Sequence, residues 1–234
     1  LLSILNISIL MNVIAVIPAR KGSKSIKNKN IIKINKKTLI EYTFAEIKKS
    51  ILKKSFILTD SQKIKNIAKK YKINNDYIRP KKLSQDKTSL LDNLTHFYKW
   101  LNIEKINFDY LLILQPTSPA RSYMDINSVI KILKKKSPDS LFSVNSSNEH
   151  PYESIKLKKN NWSYVLPEAK KFYRRQDFDF NSFFINGAIY AIHKRILKEK
   201  KLIGNKHIAY KMPKIRSFDI DDYEDIEIIK KILK

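Results

Sequence analysis

The fold is decided by one segment, which reads Val13-Ile14-Ala15-Val16-Ile17-Pro18-Ala19-Arg20-Lys21-Gly22-Ser23-Lys24-Ser25-Ile26-Lys27-Asn28-Lys29-Asn30. Residues 13–17 are continuously apolar, which is typical of a central strand in a parallel sheet that is covered on both faces. Pro18 ends this run, and a loop of basic and small residues follows directly. The segment therefore predicts an α/β protein in which a buried strand leads into a ligand-binding loop.

The composition of this loop indicates which ligand it suits. Gly22 and the small hydroxyl residues let backbone amides approach a ligand closely, as polyphosphate sites require. The loop lacks the Gly-Lys-Ser/Thr of a Walker loop, and its single glycine does not make a dinucleotide fingerprint. A nucleoside triphosphate site is therefore predicted, with an ordinary lysine-rich surface loop as the alternative. The prediction depends on the cationic side chains Arg20, Lys21, Lys24, Lys27 and Lys29.

The net charge of the chain has a second explanation besides a polyanionic partner. The 234 residues carry a formal net charge of +25, yet arginine supplies only seven of the 47 cationic side chains. The lysines are spread along the whole sequence, which favours solvated helix faces over a dedicated nucleic-acid surface. We therefore expect no nucleic-acid partner, and a basic nucleic-acid-binding protein stays as the alternative from a different functional class.

The length suits one domain, predicted over residues 11–234 with an inserted arm at about 146–183. Residues 1–17 are apolar apart from Ser3, Asn6, Ser8 and Asn12, and they are short for a membrane span. Because Met11 directly precedes the first strand, residues 1–10 are expected to be a non-essential extension, with a membrane anchor as the alternative. No membrane partner is expected. The absence of cysteine excludes a disulfide framework and thiolate metal sites, and it is compatible with a cytoplasmic location.

The hydrophobic pattern alternates between strands and helices. Strands are predicted at residues 13–17, 55–59, 77–78, 110–114, 140–144 and 188–192. Helices are predicted at 40–51, at 64–71 behind an N-cap region at 59–61, at 126–133 and at 223–233. Between 146 and 183 the pattern breaks into short alternating pieces that include Trp162, Tyr164 and Val165, which predicts a β-rich arm.

Two acidic residues near the end of the chain form a candidate metal site. Asp219 and Asp221 are two positions apart, so in an extended segment their carboxylates project to the same side. Such a pair can share a hard cation, of which Mg²⁺ is the most natural. The alternative is an acidic N-cap for the helix that begins near Tyr223, and spacing alone does not decide between the two.

Four segments in order resemble the sugar cytidylyltransferases, and within them the acylneuraminate branch. They are Ile17-Pro18-Ala19-Arg20 with Gly22-Ser23-Lys24 and Lys29-Asn30; Leu112-Ile113-Leu114-Gln115-Pro116-Thr117-Ser118-Pro119 with Arg121; Asn186-Gly187-Ala188-Ile189-Tyr190; and Asp219-Ile220-Asp221 with Asp225. Ser25 stands where this family usually carries Gly, and Lys27 stands where it often carries Pro. The resemblance implies a Rossmann-like, three-layer nucleotidyltransferase fold of the GT-A kind, with a mostly parallel central sheet. It also implies that the arm at 146–183 crosses to a partner subunit in a homodimer.

The resemblance assigns roles to specific residues. The nucleotide-binding set is Ala19, Arg20, Gly22, Ser23, Lys24, Lys29, Asn30, Arg79, Thr88 and Leu90. The sugar-binding set is Gln115, Arg175, Asn186 and Gly187, with Arg175 gripping the carboxylate of an acid sugar. The catalytic set is Arg20, Lys24 and Lys29 together with Asp219 and Asp221, which hold Mg²⁺ or Mn²⁺.

The implied reaction is transfer of CMP from CTP to the anomeric hydroxyl of a nine-carbon acid sugar, with release of pyrophosphate. Sialic, legionaminic and pseudaminic acids are the candidate sugars. Glu153 occupies the place where the branch often has a substrate-facing lysine, so the sugar is left open. The alternative within the enzymes is a cytidylyltransferase for an eight-carbon acid sugar of lipopolysaccharide, against which the Gln115–Pro119 segment weighs.

Overall fold

A six-stranded sheet forms the middle of the computed structural model, which describes residues 11–23, 25–147 and 149–233. Two small two-stranded sheets accompany it within the described residues. The strands are β1 (Val13–Pro18), β2 (Lys33–Ile34), β3 (Lys37–Thr38), β4 (Lys54–Leu58), β5 (Tyr110–Leu114), β6 (Ser140–Ser146), β7 (Ile155–Lys158), β8 (Asn161–Tyr164), β9 (Phe183–His193) and β10 (His207–Lys211).

Helices connect the strands, and several begin with a side-chain cap. They are α1 (Leu39–Lys49), α2 (Gln62–Lys70), α3 (Leu90–Ile103), α4 (Tyr123–Lys136), α5 (Lys194–Lys198) and α6 (Tyr223–Ile232). The Ser61 hydroxyl caps α2 as predicted, by accepting a hydrogen bond from the Ile64 backbone. Ser89 and Asp92 form a capping box that fixes the start of α3. None of the described helices is long and apolar enough to cross a membrane.

The strand order of the main sheet is β10-β6-β9-β5-β1-β4. All neighbouring pairs are parallel except those that involve β9, which runs antiparallel to β5 and β6. The predicted mostly parallel sheet is therefore confirmed. Because β9 runs in the opposite direction, its first residues lie at the same edge as the ends of β1, β4 and β5.

The sheet is covered on both faces, which confirms the three-layer architecture. One face packs against α1, α2 and α4, and its core includes Ala15, Ile17, Leu112 and Leu114. The other face packs against α3 and α5, and its core includes Ile14, Val16, Leu111 and Ile113. Consecutive residues of each central strand thus point to opposite cores, which explains why their sequences are apolar without interruption.

A third apolar cluster joins distant parts of the chain beside the sheet. Ile26 comes from the basic loop, Ile34 from β2, and Ile220 from the acidic segment. Ile226 and Ile229 of α6 complete the contact, and all five side chains are buried. Burial of this cluster therefore brings the two segments that were predicted to act on the same ligand into one region.

Two features of the sheet differ from the sequence prediction. The strand predicted at 77–78 is wrong, because Tyr77 packs in the core against Phe97 and Trp100 without a neighbouring strand to pair with. The edge strand β10 was not predicted, since its alternating residues leave His207 and Lys211 exposed.

The described residues between 147 and 182, which leave out 148, contain one antiparallel hairpin, β7–β8, and three short 3₁₀ turns at Pro151–Glu153, Pro167–Lys171 and Arg175–Asp177. The rings of His150, Tyr152, Phe172, Phe178 and Phe180 pack against one another there. The role of this arm in dimerisation stays a prediction. Residues 1–10 lie outside the described part of the chain, so their dispensability stays a prediction as well.

Candidate active site

The carboxyl ends of β1, β4 and β5 open into loops at one edge of the sheet. The basic loop begins at Ala19, whose backbone N–H donates to the Leu58 carbonyl at the end of β4 (3.0 Å). Two further bonds shape it: the Lys21 N–H donates to Asp60 (2.7 Å), and the Asn30 side chain donates to the Arg20 carbonyl (3.1 Å). The predicted residue Asn30 is therefore a backbone clamp that folds the loop back on itself.

The open side of this loop is where a ligand fits. A Cβ built on Gly22 meets no atom within 4 Å, so the backbone there faces open space. Ser23 follows it directly, and Lys24 lies outside the described residues. The geometry agrees with a loop whose backbone amides approach a polyphosphate closely.

Arg20 and the loop at residues 79–89 meet across this opening. The Arg20 guanidinium forms an ion pair with Asp86. Arg79 is buried and donates twice to the Leu83 carbonyl, from Nε (3.1 Å) and Nη2 (2.6 Å). Burial lowers the pKa of Arg79, while the charge of the nearby Asp60 opposes this shift. Arg79 thus stiffens the loop, and its donors are directed at the loop backbone.

Thr88 and Leu90 connect that loop to α3. The Thr88 hydroxyl donates to the Lys82 carbonyl (3.2 Å), and Leu90 is the first residue of the helix. The N-cap of this helix is Ser89, which directly follows Thr88. The predicted nucleotide-binding residues of this loop therefore lie beside a helix N-terminus.

Lys29 connects the basic loop to the acidic segment. Its Nζ is buried and donates to the backbone oxygens of Ile220 (2.9 Å) and Asp221 (3.2 Å). It also lies 3.7 Å from the Asp221 carboxylate. The two segments that the resemblance assigns to one reaction are therefore joined directly by one of the predicted residues.

The two predicted metal ligands have different surroundings. Asp219 accepts a hydrogen bond from the Ser118 hydroxyl (3.1 Å), whereas the Asp221 side chain is 86% exposed. Burial raises the pKa of the Asp219 carboxyl, and the charge of Asp221 adds to this effect. The hydrogen bond from the Ser118 hydroxyl and the charge of Lys29 oppose this rise in the pKa of Asp219.

The acidic N-cap proposed as an alternative is a different residue. Asp222 caps α6 by accepting from the Asp225 backbone (3.0 Å), and the Asp225 carboxylate accepts from the Asp221 and Asp222 backbones. The carboxylates of Asp219 and Asp221 therefore take no part in capping the helix.

The carboxylates of Asp219 and Asp221 suit a cation that takes its remaining ligands from water and substrate. Within the described residues, no group of three or more His, Cys, Asp or Glu side chains is arranged to hold a metal ion. Mg²⁺ prefers oxygen ligands and is commonly bound by one or two carboxylates together with water and substrate phosphates. Asp219 and Asp221 fit that pattern.

On the sugar side of the site, the structure brings Gln115 and Gly187 together. Gly187 has a φ of 73°, in the left-handed region that favours glycine. A Cβ built on it would lie 3.6 Å from the Tyr190 hydroxyl and 3.8 Å from Nε2 of Gln115. The Gln115 amide and the Tyr190 hydroxyl therefore border the place in β9 that a side chain at position 187 would fill.

The side chain of Asn186 is committed to the fold. Its Oδ1 accepts from the Ser143 hydroxyl (2.6 Å) and from the Ala188 backbone (3.1 Å). Its Nδ2 donates to the Met212 sulfur (3.8 Å). These contacts hold β6 against β9 where their register shifts. The observed hydrogen bonds give Asn186 a structural role. A direct contact of Asn186 with a sugar stays a prediction.

Arg175 lies in the arm, and its guanidinium is bound by Glu153. Nε donates to one carboxylate oxygen (2.7 Å) and Nη2 lies 2.7 Å from the other. The side chain is 64% exposed, and the pair lowers the pKa of Glu153. Arg175 also lines a cleft of about 510 Å³ with Ser146, Phe183 and Lys211, at the same sheet edge as Gly187. The neighbouring Arg174 pairs with Asp177 instead.

A comparison with known families decides the classification. The model of a cytidylyltransferase family matches residues 14–232. The chain belongs to the cytidylyltransferase family. The resemblance predicted from the sequence is thereby confirmed.

Two relatives with named activities illustrate the similarity of this cytidylyltransferase. An N-acylneuraminate cytidylyltransferase of Escherichia coli O18:K1:H7 (strain RS218 / NMEC) is 32% identical over 222 residues, covering 92% of the chain and 51% of the relative. The chain thus spans about half the length of that relative. A CMP-N,N'-diacetyllegionaminic acid synthase of Legionella pneumophila is 28% identical over 229 residues, covering 96% and 97%.

A solved structure agrees with the fold. The CMP:2-keto-3-deoxy-manno-octonic acid synthetase complexed with CTP superposes with a TM-score of 0.68 at 13% identity. The match covers 95% of the chain and 98% of that protein. At this identity the likeness confirms the Rossmann-like nucleotidyltransferase fold.

Two residues of the site were not predicted. The Tyr190 hydroxyl faces Gly187, and burial raises its pKa, with the charge of Asp219 adding to the shift. Asp60 positions the Lys21 backbone and lies near Arg79. Tyr190 could have been predicted, because it is the last residue of the Asn186–Tyr190 motif. Asp60 lies in the N-cap region predicted at 59–61, which gives no indication of a role in the site.

Proposed function

We propose that the protein transfers CMP from CTP to the anomeric hydroxyl of a nine-carbon acid sugar and releases pyrophosphate. The observation that carries the proposal is the Lys29 contact, which joins the basic loop to the Asp219–Asp221 segment in a member of the cytidylyltransferase family. The names of the Escherichia coli and Legionella relatives support an acid sugar as the acceptor.

The triphosphate of CTP would bind against the loop from Ala19 to Asn30. Gly22 and Ser23 offer backbone amides, and Arg20 and Lys24 offer positive charge. To reach the phosphates, Arg20 exchanges its ion pair with Asp86 for one with the triphosphate. Arg79, Thr88 and Leu90 would frame the cytosine from the opposite loop.

Asp219 and Asp221 would hold Mg²⁺ or Mn²⁺, which when bound supplies charge neutralisation for the leaving pyrophosphate. The raised pKa of Asp219 fits this role, because a buried carboxylate gains from a cation that replaces lost solvation. Lys29 orients the same segment through its two backbone oxygens.

The chain's own residues then position the reactants and stabilise charge. Nucleotidyl transfer by in-line attack needs little covalent chemistry from the protein, so positioned cations and backbone amides supply most of the catalysis. Arg20 and Lys24 would hold the β- and γ-phosphates while the anomeric hydroxyl approaches the α-phosphorus. Lys29 holds the loop in place during this step.

The sugar would lie between the ends of β5 and the start of β9. The Gln115 amide can donate to and accept from hydroxyl or N-acyl groups, and Gly187 leaves room for the sugar to approach the backbone. Arg175 would take the sugar carboxylate, and this requires it to leave Glu153. Asn186 would support this surface from behind.

A homodimer is part of the proposal. Phe183, Phe184 and Ile185 at the start of β9 are exposed, as is Trp162 in the β7–β8 hairpin. Exposed apolar side chains in the arm and at the start of β9 suit contact with a second copy of the chain. Analytical ultracentrifugation of the wild type and of Phe184→Asp tests this: the variant is expected to sediment as a smaller species.

The substrate class is tested with CTP, Mg²⁺ and a panel of acid sugars, by measuring pyrophosphate release. Sialic, legionaminic and pseudaminic acids represent the nine-carbon class, and an eight-carbon acid sugar is the competitor. Turnover is expected with at least one nine-carbon sugar, and with CTP but not with ATP or GTP. Turnover confined to the eight-carbon sugar would overturn the proposal.

A further inference from the structure

Arg121 is a buried arginine with contacts to three elements around the proposed sugar site. Its side chain is 1% exposed and lies in the loop between β5 and α4. Nη1 donates to the backbone oxygens of Gln115 (3.0 Å) and Ala188 (2.7 Å). Nη2 donates to the Thr43 hydroxyl on α1 (2.8 Å).

The carbonyls of Gln115 and Ala188 lie directly beyond the last hydrogen-bonded residue pair of β5 and β9. The last registered pair is Leu114 with Ile189, so the next pair in sequence would be Gln115 with Ala188. Instead of bonding across the strands, both residues give their carbonyl oxygens to one nitrogen of Arg121. The guanidinium thus replaces the next step of the ladder and holds the two strands at a fixed separation.

Ending the β5–β9 pairing at Arg121 places a positive charge in the protein interior, where its loss of solvation is unfavourable. Burial lowers the pKa of the guanidinium to about 10, with partial compensation from the charges of Asp125, Glu46 and Asp219. Its Nε has no hydrogen-bond partner among the described residues. The bonds to Gln115, Ala188 and Thr43 do not satisfy this buried cation completely, which favours a role for Arg121 beyond the stability of the fold.

The reason lies in what the two strands carry just beyond Arg121. Gln115 presents its side-chain amide just beyond the end of β5, with Nε2 3.8 Å from where a Cβ of Gly187 in β9 would lie. The Tyr190 hydroxyl faces the same space, 3.6 Å from where a Cβ of Gly187 would lie. Closing the ladder by one more pair would draw these groups together and narrow that space.

We propose that Arg121 is a positioning residue for the acid sugar: by bonding the Gln115 and Ala188 carbonyls, it keeps the space between Gln115, Gly187 and Tyr190 open. The inference rests on the proposed function, because the sugar is assigned to this space there. Arg121 itself does not touch the substrate, and it acts through the strands that it holds.

The test compares Arg121→Lys and Arg121→Met with wild type in steady-state assays. A lysine keeps the charge but cannot bridge three acceptors in a planar fork, so both variants should lose the separation. We expect the Michaelis constant for the sugar to rise at least about tenfold, a loss of about 1.4 kcal/mol. The dissociation constant for CTP, measured by calorimetry, should stay unchanged.

A matched variant separates positioning from loss of stability. Leu133→Ala opens a cavity in the buried core under α4 at a residue that Arg121 does not bond, and it should lower the melting temperature without a change in the sugar Michaelis constant. Thr43→Val removes the Nη2 acceptor alone and should give a weaker form of the sugar defect. It also keeps the test usable if the Arg121 variants do not fold.

The outcomes distinguish this inference from the proposed function. If wild type turns over no acid sugar with CTP, the proposed function fails. If wild type is active but the folded Arg121 variants change the CTP and sugar constants equally, or change neither, the positioning role is overturned. A sugar defect in Leu133→Ala of equal size would also overturn it.

Discussion

The ammonium group of Lys29 lies 3.2 Å from the backbone oxygen of Asp221 and 3.7 Å from its carboxylate, although 192 positions separate the two residues. Lys29, which the resemblance assigns to phosphate binding, therefore also anchors the basic loop in which it lies. The contact fixes the basic loop to the acidic segment before any substrate binds.

Removing this anchor is expected to affect stability and nucleotide binding together. Lys29→Met loses hydrogen bonds from a charged donor, which are worth about 1.5–3 kcal/mol of unfolding free energy. We expect a lower melting temperature and weaker CTP binding by calorimetry. Lys33→Met, at an exposed position of β2, is the matched control. An unchanged melting temperature for Lys29→Met would contradict the anchoring role.

The metal site is tested by three aspartate variants that differ only in position. Asp221→Asn and, to a lesser degree, Asp219→Asn should abolish turnover at saturating Mg²⁺ while the fold stays intact. Asp222→Asn should retain activity, because asparagine is as good an N-cap as aspartate. Wild-type turnover in both of the first two variants would remove the metal assignment.

Two glycine variants should separate the nucleotide and sugar sides of the site. Gly187→Ala places a methyl group in a left-handed residue, at a cost of about 1–2 kcal/mol, and beside Gln115 and Tyr190. It should raise the Michaelis constant for the sugar. Gly22→Ala meets no neighbouring atom, so it should leave the melting temperature unchanged and weaken only CTP. Equal effects of both variants on both substrates would be evidence against this division.

The carboxylate clamp is tested by substitutions of Arg175 and of its present partner Glu153. Arg175→Lys should raise the sugar Michaelis constant at least about tenfold, since losing a bidentate contact costs on the order of 1.5–3 kcal/mol. Glu153→Gln weakens the hold on Arg175, so it should lower the same constant. Arg174→Lys is the control, because Arg174 pairs with Asp177. If Arg174→Lys alone raises the constant, the clamp is the neighbouring arginine.

A pH dependence is expected from the pair of Asp125 and Arg216. Burial alone would raise the pKa of Asp125, but the bonds from Arg216 and Ser122 hold it below its usual value. The pair therefore stabilises the fold above the unfolded pKa of about 3.9, and that stability is lost as the pH falls through the lowered folded value.

Arg216→Met removes the guanidinium that pairs with the buried Asp125 carboxylate and leaves only the bonds from Ser122 and Tyr210, so we expect a loss of up to about 3–5 kcal/mol at neutral pH. The difference from wild type should shrink in acid, where Asp125 becomes protonated in the variant. Chemical unfolding at pH 7 and at pH 4 measures both values. A difference that does not depend on pH would contradict this role of the pair.

The sequence predicted the elements whose pattern is set by burial on both faces. β5 was predicted with the bounds that the structure has, because each of its residues is apolar and buried. β10 escaped prediction because an edge strand with exposed Lys211 lacks that pattern. Tyr77 is apolar and buried but lies in no strand, because strand pairing depends on neighbouring segments that the local sequence does not specify.

The candidate site was predicted as a set of residues but not as a set of contacts. Lys29 was assigned to phosphate, and its bonds to the acidic segment depend on a chain reversal that no local pattern encodes. The commitment of Asn186 to Ser143, and of Arg175 to Glu153, likewise arises from tertiary packing. Sequence motifs identify such residues, and the fold determines their partners.

Transfer of CMP from CTP to the sugar is tested by following the separate phosphates of CTP. The protein is incubated with Mg²⁺, a nine-carbon acid sugar and CTP labelled at either the α- or the γ-phosphate. Transfer of CMP to the sugar predicts that the α-label appears in a CMP-sugar product and the γ-label in pyrophosphate, in equal amounts. Release of the γ-label as inorganic phosphate, or no transfer of the α-label to any nine-carbon acid sugar, would contradict it.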